Sequence, residues 1–143
     1  MTKLKGMIIM ILITLSLFGM AACQGEGGNS DADINTTANS VKYEQIGVKE
    51  AKAIMKSGVP YILIDARTEE EFAEGHIEGA ILVPEYEIAE WAESESPDKN
   101  AMILVYCRSG RRSKIASEEL AKLGYTNVKE FGGIIDWPYE IVK

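Results

Sequence analysis

Residues 101 to 117 read AMILVYCRSGRRSKIAS, and the order of residue types within them decides the architecture. AMILVYC (101–107) is a short apolar run with β-branched members, the pattern of a buried strand. Then come arginines, serines and one glycine. SKIASEELAKLG (113–124) next sets Ile115, Ala116, Leu120 and Leu123 on one helical face and stops at Gly124. Strand, tight loop and helix in that order predict one unit of an α/β domain. They place Cys107 at the carboxyl end of a strand, where parallel sheets bind their ligands.

Working outward, VPYILIDAR (59–67) predicts a second buried strand, and AILVP (80–84), NVKEF (127–131) and an edge strand within 43–47 are weaker candidates. Helical spacing appears in VKEAKAIMKSG (48–58) and YEIAEWAES (86–94). TEEEFAEG (68–75) opens with Thr68 and, three places on, Glu71, a capping-box pattern. The alternation predicts a small α/β domain over residues 41–143 with a mostly parallel central sheet flanked by helices.

The residues ahead of this domain read differently. Lys3 and Lys5 precede the apolar run Met7 to Phe18, and small residues then lead into Cys23 (GMAAC, 19–23). This is the order of a secretory signal, and the run is short for a membrane span, which needs about 17–25 apolar residues. Ending on Ala21-Ala22-Cys23, it resembles a bacterial lipoprotein signal. Residues 1–22 are therefore expected to be removed and Cys23 to be lipidated. QGEGGNSDADINTTANS (24–40) has almost no large apolar side chain, so 23–40 is expected to be a flexible tether. These features predict an exported domain, lipid-anchored to the cell envelope on the periplasmic or extracellular face of a bacterial membrane. The formal net charge of −7 argues against a nucleic-acid partner. With Cys23 lipidated, Cys107 is the remaining thiol, with no partner for an intramolecular disulfide, and an unpaired exported thiol needs a reason.

The loop CRSGRRS (107–113) supplies one. A thiol becomes a good nucleophile when ionised, and Arg108, Arg111 and Arg112 place positive charge beside this one. Ser109 and Gly110 permit a tight turn whose N–H groups can face inward as an anion nest, and the helix behind directs its positive end at the same point. The plainer alternative is a buried small hydrophobe ending a strand, with solvated arginines. A cradle of this kind fits two chemistries, sulfur transfer and phosphate-ester hydrolysis. Cysteine-dependent phosphatases resemble C-x-x-x-x-x-R; here Ser113 stands at that arginine position and Arg112 comes one residue early. The shorter loop suits a sulfane sulfur better than a phosphoryl group with its bidentate clamp.

Three stretches in order carry a resemblance to the rhodanese superfamily of small single-domain sulfurtransferases. They are LIDARTEEEFAEGHIEGAILVP (63–84), VYCRSGRRS (105–113) and EFGGIIDW (130–137). The resemblance implies a three-layer rhodanese-like fold. It also implies that Cys107 takes a sulfur atom from a small anionic donor such as thiosulfate and passes it to cyanide or a thiol, a thiol on a partner protein included. The backbone of Arg108, Ser109, Gly110, Arg111, Arg112 and Ser113 would hold the persulfide, with the Arg108 and Arg111 side chains meeting the donor and Arg112 opening the helix. A phosphatase or arsenate reductase on the same fold, and a non-enzymatic sulfur-carrier or partner-binding module, are the competing readings. Asp65 and Arg67 are expected to form a supporting salt bridge, and His76 to hold a turn. Trp91 and Trp137 are expected to belong to the core. No metal-ligand spacing and no cofactor motif is read; Gly132-Gly133 alone is not a dinucleotide loop.

Overall fold

The computed structural model describes residues 42–95 and 98–143; the expected signal (1–22), Cys23 and the tether (23–40) lie outside the described residues. Along the described chain the elements are β1 (Glu44–Gln45), α1 (Val48–Lys56), β2 (Ile62–Asp65), α2 (Glu69–Glu74) and β3 (Ile81–Leu82). They continue with α3 (Ile88–Ser94), β4 (Ile103–Cys107), α4 (Arg111–Lys122), β5 (Val128–Gly133) and a short 3-10 turn (Ile134–Asp136). The strands form one sheet in the order β1-β5-β4-β2-β3, every adjacent pair parallel. Among the described residues no helix is long and apolar enough to cross a membrane.

All five residues of β4 are buried, which explains why its sequence is continuously apolar rather than alternating: both faces of the sheet are covered. Alternate side chains still go to opposite layers. Ile103, Val105 and Cys107 join Ile88 and Ala92 of α3 and Ala116 and Leu120 of α4 on one side. Leu104 and Tyr106 join Ala51 of α1, Phe131 and Trp137 on the other. Trp91 packs against the first cluster from its edge. The three-layer architecture expected from the sequence is therefore present.

Element boundaries differ at informative places. Helix α4 begins at Arg111, ahead of the expected 112–113, because Gly110 takes the left-handed conformation (φ +96°) and serves as its N-cap. Strand β5 continues to Gly133 rather than ending at Phe131, and it does so through an irregularity. Val105 pairs with Glu130, but Cys107 pairs with Gly133, so Phe131 and Gly132 stand against Tyr106 alone. An extra residue on one strand bends it and redirects the residues beyond. Gly132, at φ +91°, accommodates that bend.

The bend brings Gly133 directly under the loop after β4. A β-carbon there would lie 2.2 Å from the Arg108 carbonyl oxygen and 2.6 Å from the Ser109 α-carbon, both backbone atoms with no free rotation to relieve the clash. Gly133→Ala should accordingly cost about 1–3 kcal/mol, the usual range for overpacking. Chemical denaturation measures that loss, and a raised pH midpoint for alkylation of Cys107 should accompany it as the loop is displaced. Unchanged stability and midpoint would mean the loop and β5 separate freely.

Candidate active site

Cys107 is 1% exposed, and its sulfur sits inside the turn made by Arg108, Ser109 and Gly110. The left-handed Gly110 turns its own N–H back onto the sulfur, at 3.1 Å from Sγ. Burial pushes the Cys107 thiol up. Hydrogen bonds from the Ser113 hydroxyl and from the backbone N–H groups of Ser113, Ser109 and Gly110 outweigh that burial and hold the thiol below its ordinary value. The amino end of the 12-residue helix α4 faces the same atom. The thiol is lowered by the Ser113 hydroxyl first and then by three backbone N–H groups, with the arginines not among its chief causes.

The arginines divide their roles. Arg108 and Arg111 are exposed. Arg112 instead turns to α2 and grips Glu71 with both ends of its fork, Nη1–Oε2 at 2.6 Å and Nη2–Oε1 at 2.8 Å. Glu71 also completes the capping box of α2: Thr68 Oγ1 accepts from the Glu71 N–H, and the Thr68 N–H donates to Glu71 Oε2. The acidic run Glu69-Glu70-Glu71, read from the sequence as a helix start, is that and a tie to α4 as well.

Asp65 and Arg67 form a buried ion pair, with Arg67 Nε donating to both carboxylate oxygens and Nη2 to Oδ2 at 2.7 Å. The Nη2 group also reaches the Gly75 carbonyl at 2.7 Å, so the pair fixes the turn after α2. The salt bridge expected from the sequence is present. Arg67 also lines a shallow recess with Glu71, Glu74, Arg108, Ile134 and Ile135. His76 stands apart from this chemistry. Its Nδ1 lies 3.1 Å from the Phe72 carbonyl, its ring stacks on Phe72 and its backbone exchanges two hydrogen bonds with Val142. Trp137, 7% exposed, packs on Phe131.

Sequence reasoning missed Glu130. It is 2% exposed, and its carboxylate accepts from Ser113 Oγ at 2.7 Å, from the Gly132 N–H at 2.8 Å and from Gln45 Nε2 at 3.3 Å. In sequence it is one acid among many. Only the register of β5 against β4 brings it to the floor of the loop, and no local signal announces that. Among the described residues no group of three or more His, Cys, Asp or Glu side chains is arranged to hold a metal ion.

A thiol lowered by loop N–H groups at the end of a central parallel strand narrows the comparison with known proteins. The rhodanese-like domain family matches residues 47–138. The chain belongs to that family. Among curated relatives, thiosulfate sulfurtransferase PspE of Escherichia coli is 42% identical over 80 residues, 56% of this chain and 77% of PspE. Thiosulfate sulfurtransferase 18 of Arabidopsis thaliana is 34% identical over 112 residues, 70% of this chain and 81% of that protein. Among solved structures, a rhodanese-like domain protein from Staphylococcus aureus superposes with a TM-score of 0.60 at 32% identity, over 68% of this chain and 94% of that one. This chain is an enzyme of the rhodanese type, a sulfurtransferase.

The Arg112–Glu71 contact makes a pH-dependent prediction. The hydrogen bond from Arg112 holds the Glu71 carboxyl down at about 2, against an ordinary value of 4.5. A depressed carboxyl contributes stability that is complete above the ordinary value and disappears as pH falls through the folded-state value. Wild type should therefore melt above Glu71→Gln at neutral pH. The gap should close as pH drops from about 4.5 toward about 2. A gap that persists unchanged at the acid end of a melting series would show that the ion pair is not its source.

Proposed function

We propose that the chain transfers sulfane sulfur from thiosulfate or a related anionic donor to cyanide or a thiol by way of a persulfide on Cys107. The Cys107 thiolate attacks the outer sulfur of thiosulfate, the donor's S–S bond breaks, and sulfite leaves with the bonding electron pair. An acceptor then takes the outer sulfur and returns the thiolate, so the two half-reactions should give ping-pong kinetics. The observation that carries this reading is the lowered thiol inside a turn of backbone N–H groups, which suits one small anionic sulfur atom. Arg108 and Arg111, exposed beside it, meet the donor's negative charge. Relatives named thiosulfate sulfurtransferases support the donor assignment.

Phosphate-ester or arsenate chemistry is less well supported. A phosphoryl clamp needs a free arginine fork, and the fork of Arg112 is already occupied by Glu71. Intact-mass spectrometry after thiosulfate treatment tests the choice. Wild type should gain about 32 Da, one sulfur atom, and Cys107→Ser should gain nothing. Absence of the gain in wild type, together with hydrolysis of a generic phosphate ester, would overturn the reading.

The same proposal extends to the amino-terminal residues. Residues 1–22 act as a lipoprotein signal, Cys23 carries the lipid, and 23–40 tether the domain of 41–143 to the periplasmic or extracellular face of a bacterial membrane. The supporting features are Lys3 and Lys5, the apolar run from Met7 to Phe18 and the small residues before Cys23. Expressed in a bacterium, the full chain should fractionate with membranes and Cys23→Ser should lose its lipid mass. An unlipidated wild-type chain would refute the anchor.

A further inference from the structure

Arg67 is 5% exposed, yet part of its guanidinium is bare. Its Nε donates to both Asp65 oxygens, and Nη2 donates to Asp65 Oδ2 and to the Gly75 carbonyl. The two N–H groups on Nη1 have no partner among the described residues. An enclosed donor without an acceptor is costly, so one on so buried a residue calls for an explanation. Among the described residues Ser117 Oγ is the one fully enclosed side-chain polar atom without a partner, so Nη1 keeps an opening. The recess that Arg67 lines supplies that opening.

The recess encloses about 430 Å³, and two hydrogen bonds fix its frame. Arg67 Nη2 on the Gly75 carbonyl sets the end of α2, and Glu74 with it. The Ile135 N–H on the Arg108 carbonyl, at 3.3 Å, sets the 3-10 turn against the residue that follows Cys107. Four charged side chains line the recess, and two of them are engaged: Arg67 balances Asp65, and Glu71 is held by Arg112. The other two, Arg108 and Glu74, are exposed and form no ion pair among the described residues, with each other or with any other group. Ile134 and Ile135 add an apolar wall.

An unpaired cation, an unpaired anion and two bare N–H donors around one small hollow are complementary to a molecule that carries both charges. A purely anionic ligand would leave Glu74 opposing it, and a purely cationic one would leave Arg108 and Arg67 Nη1 unanswered. We propose that this recess is the acceptor subsite and takes a small zwitterionic amino-acid thiol, the class to which free cysteine belongs. The carboxylate of the ligand meets Arg67 Nη1 and Arg108, its ammonium meets Glu74, and its thiol extends past Arg108 toward Cys107. The proposal rests on the persulfide route given above and names the acceptor for it. In the step, the acceptor thiol gives its proton to solvent and its thiolate attacks the outer sulfur of the persulfide. The S–S bond at Cys107 breaks, and its electron pair returns to Cys107 as the thiolate. One S–S bond forms for the one that breaks, so no oxidant or reductant enters, and an amino-acid persulfide leaves.

Binding in the recess can be measured without any sulfur transfer. S-methylcysteine carries both charges and no free thiol. In the full chain it should slow iodoacetamide alkylation of Cys107, read by mass spectrometry on the peptide that contains it. The N-acetyl derivative lacks the ammonium and the methyl ester lacks the carboxylate. Each should need about tenfold more ligand for the same protection, the ratio expected for one lost charged contact. Glu74→Gln should abolish the advantage over the N-acetyl derivative, and Arg108→Gln should shrink the advantage over the ester. Arg67→Lys leaves a cation for Asp65 without the fork, and should also shrink the advantage over the ester where it melts like wild type. The wild-type ligand series stands whatever that variant does. Equal protection by all three ligands, or by none, overturns the subsite, and so does a Glu74→Gln chain that still prefers S-methylcysteine to its N-acetyl derivative. Failure of the thiosulfate mass gain with this protection pattern intact would instead remove sulfur transfer and leave the zwitterion site standing.

Discussion

The site depends on one backbone reversal. Gly110, at φ +96°, points its N–H back at a sulfur that its own chain buried three residues earlier. A side chain at that conformation would cost roughly 1–2 kcal/mol, a conformational cost, since its β-carbon would meet the Gly132 α-carbon at an ordinary 3.5 Å. On β5, Gly133 leaves the space under the loop that a β-carbon would fill. The hydrogen bonds that result overcome the burial that would otherwise keep the thiol protonated.

Much of this was legible from the sequence, for a physical reason. A strand buried on both faces has to be continuously apolar, so AMILVYC announced β4, and its cysteine fell at the ligand-binding end. The helix faces of α1, α3 and α4 were equally readable from their spacing, and the capping box of α2 was read from Thr68 and Glu71 alone. These are local patterns, set by a residue and its near neighbours.

What escaped was set by register between distant segments. Nothing near Glu130 says that a displaced pairing, two residues of β5 against one of β4, will carry it beneath Ser113. Nor does the sequence around Arg112 reveal that its fork is taken by a residue 41 positions away. The resemblance set Arg112 apart from Arg108 and Arg111 as the residue opening the helix, without naming its partner. The fold separates them, leaving Arg108 and Arg111 in solvent and making Arg112 a strut between two helices. Gly133 likewise looked like half of a glycine pair, whereas in space it is the one position where a methyl group would strike the loop.

The depth of the sulfur has a further consequence. At 1% exposure, Cys107 is closed to large reagents, including a cysteine on the surface of another protein, because no folded surface can bring its own sulfur into the turn. Burial of this kind limits the formation of mixed disulfides with other proteins. On the proposed persulfide route, the transferred sulfur would stand about 2 Å from the Cys107 sulfur along the new bond. Under that proposal the cargo, not the carrier, would be the atom an acceptor meets.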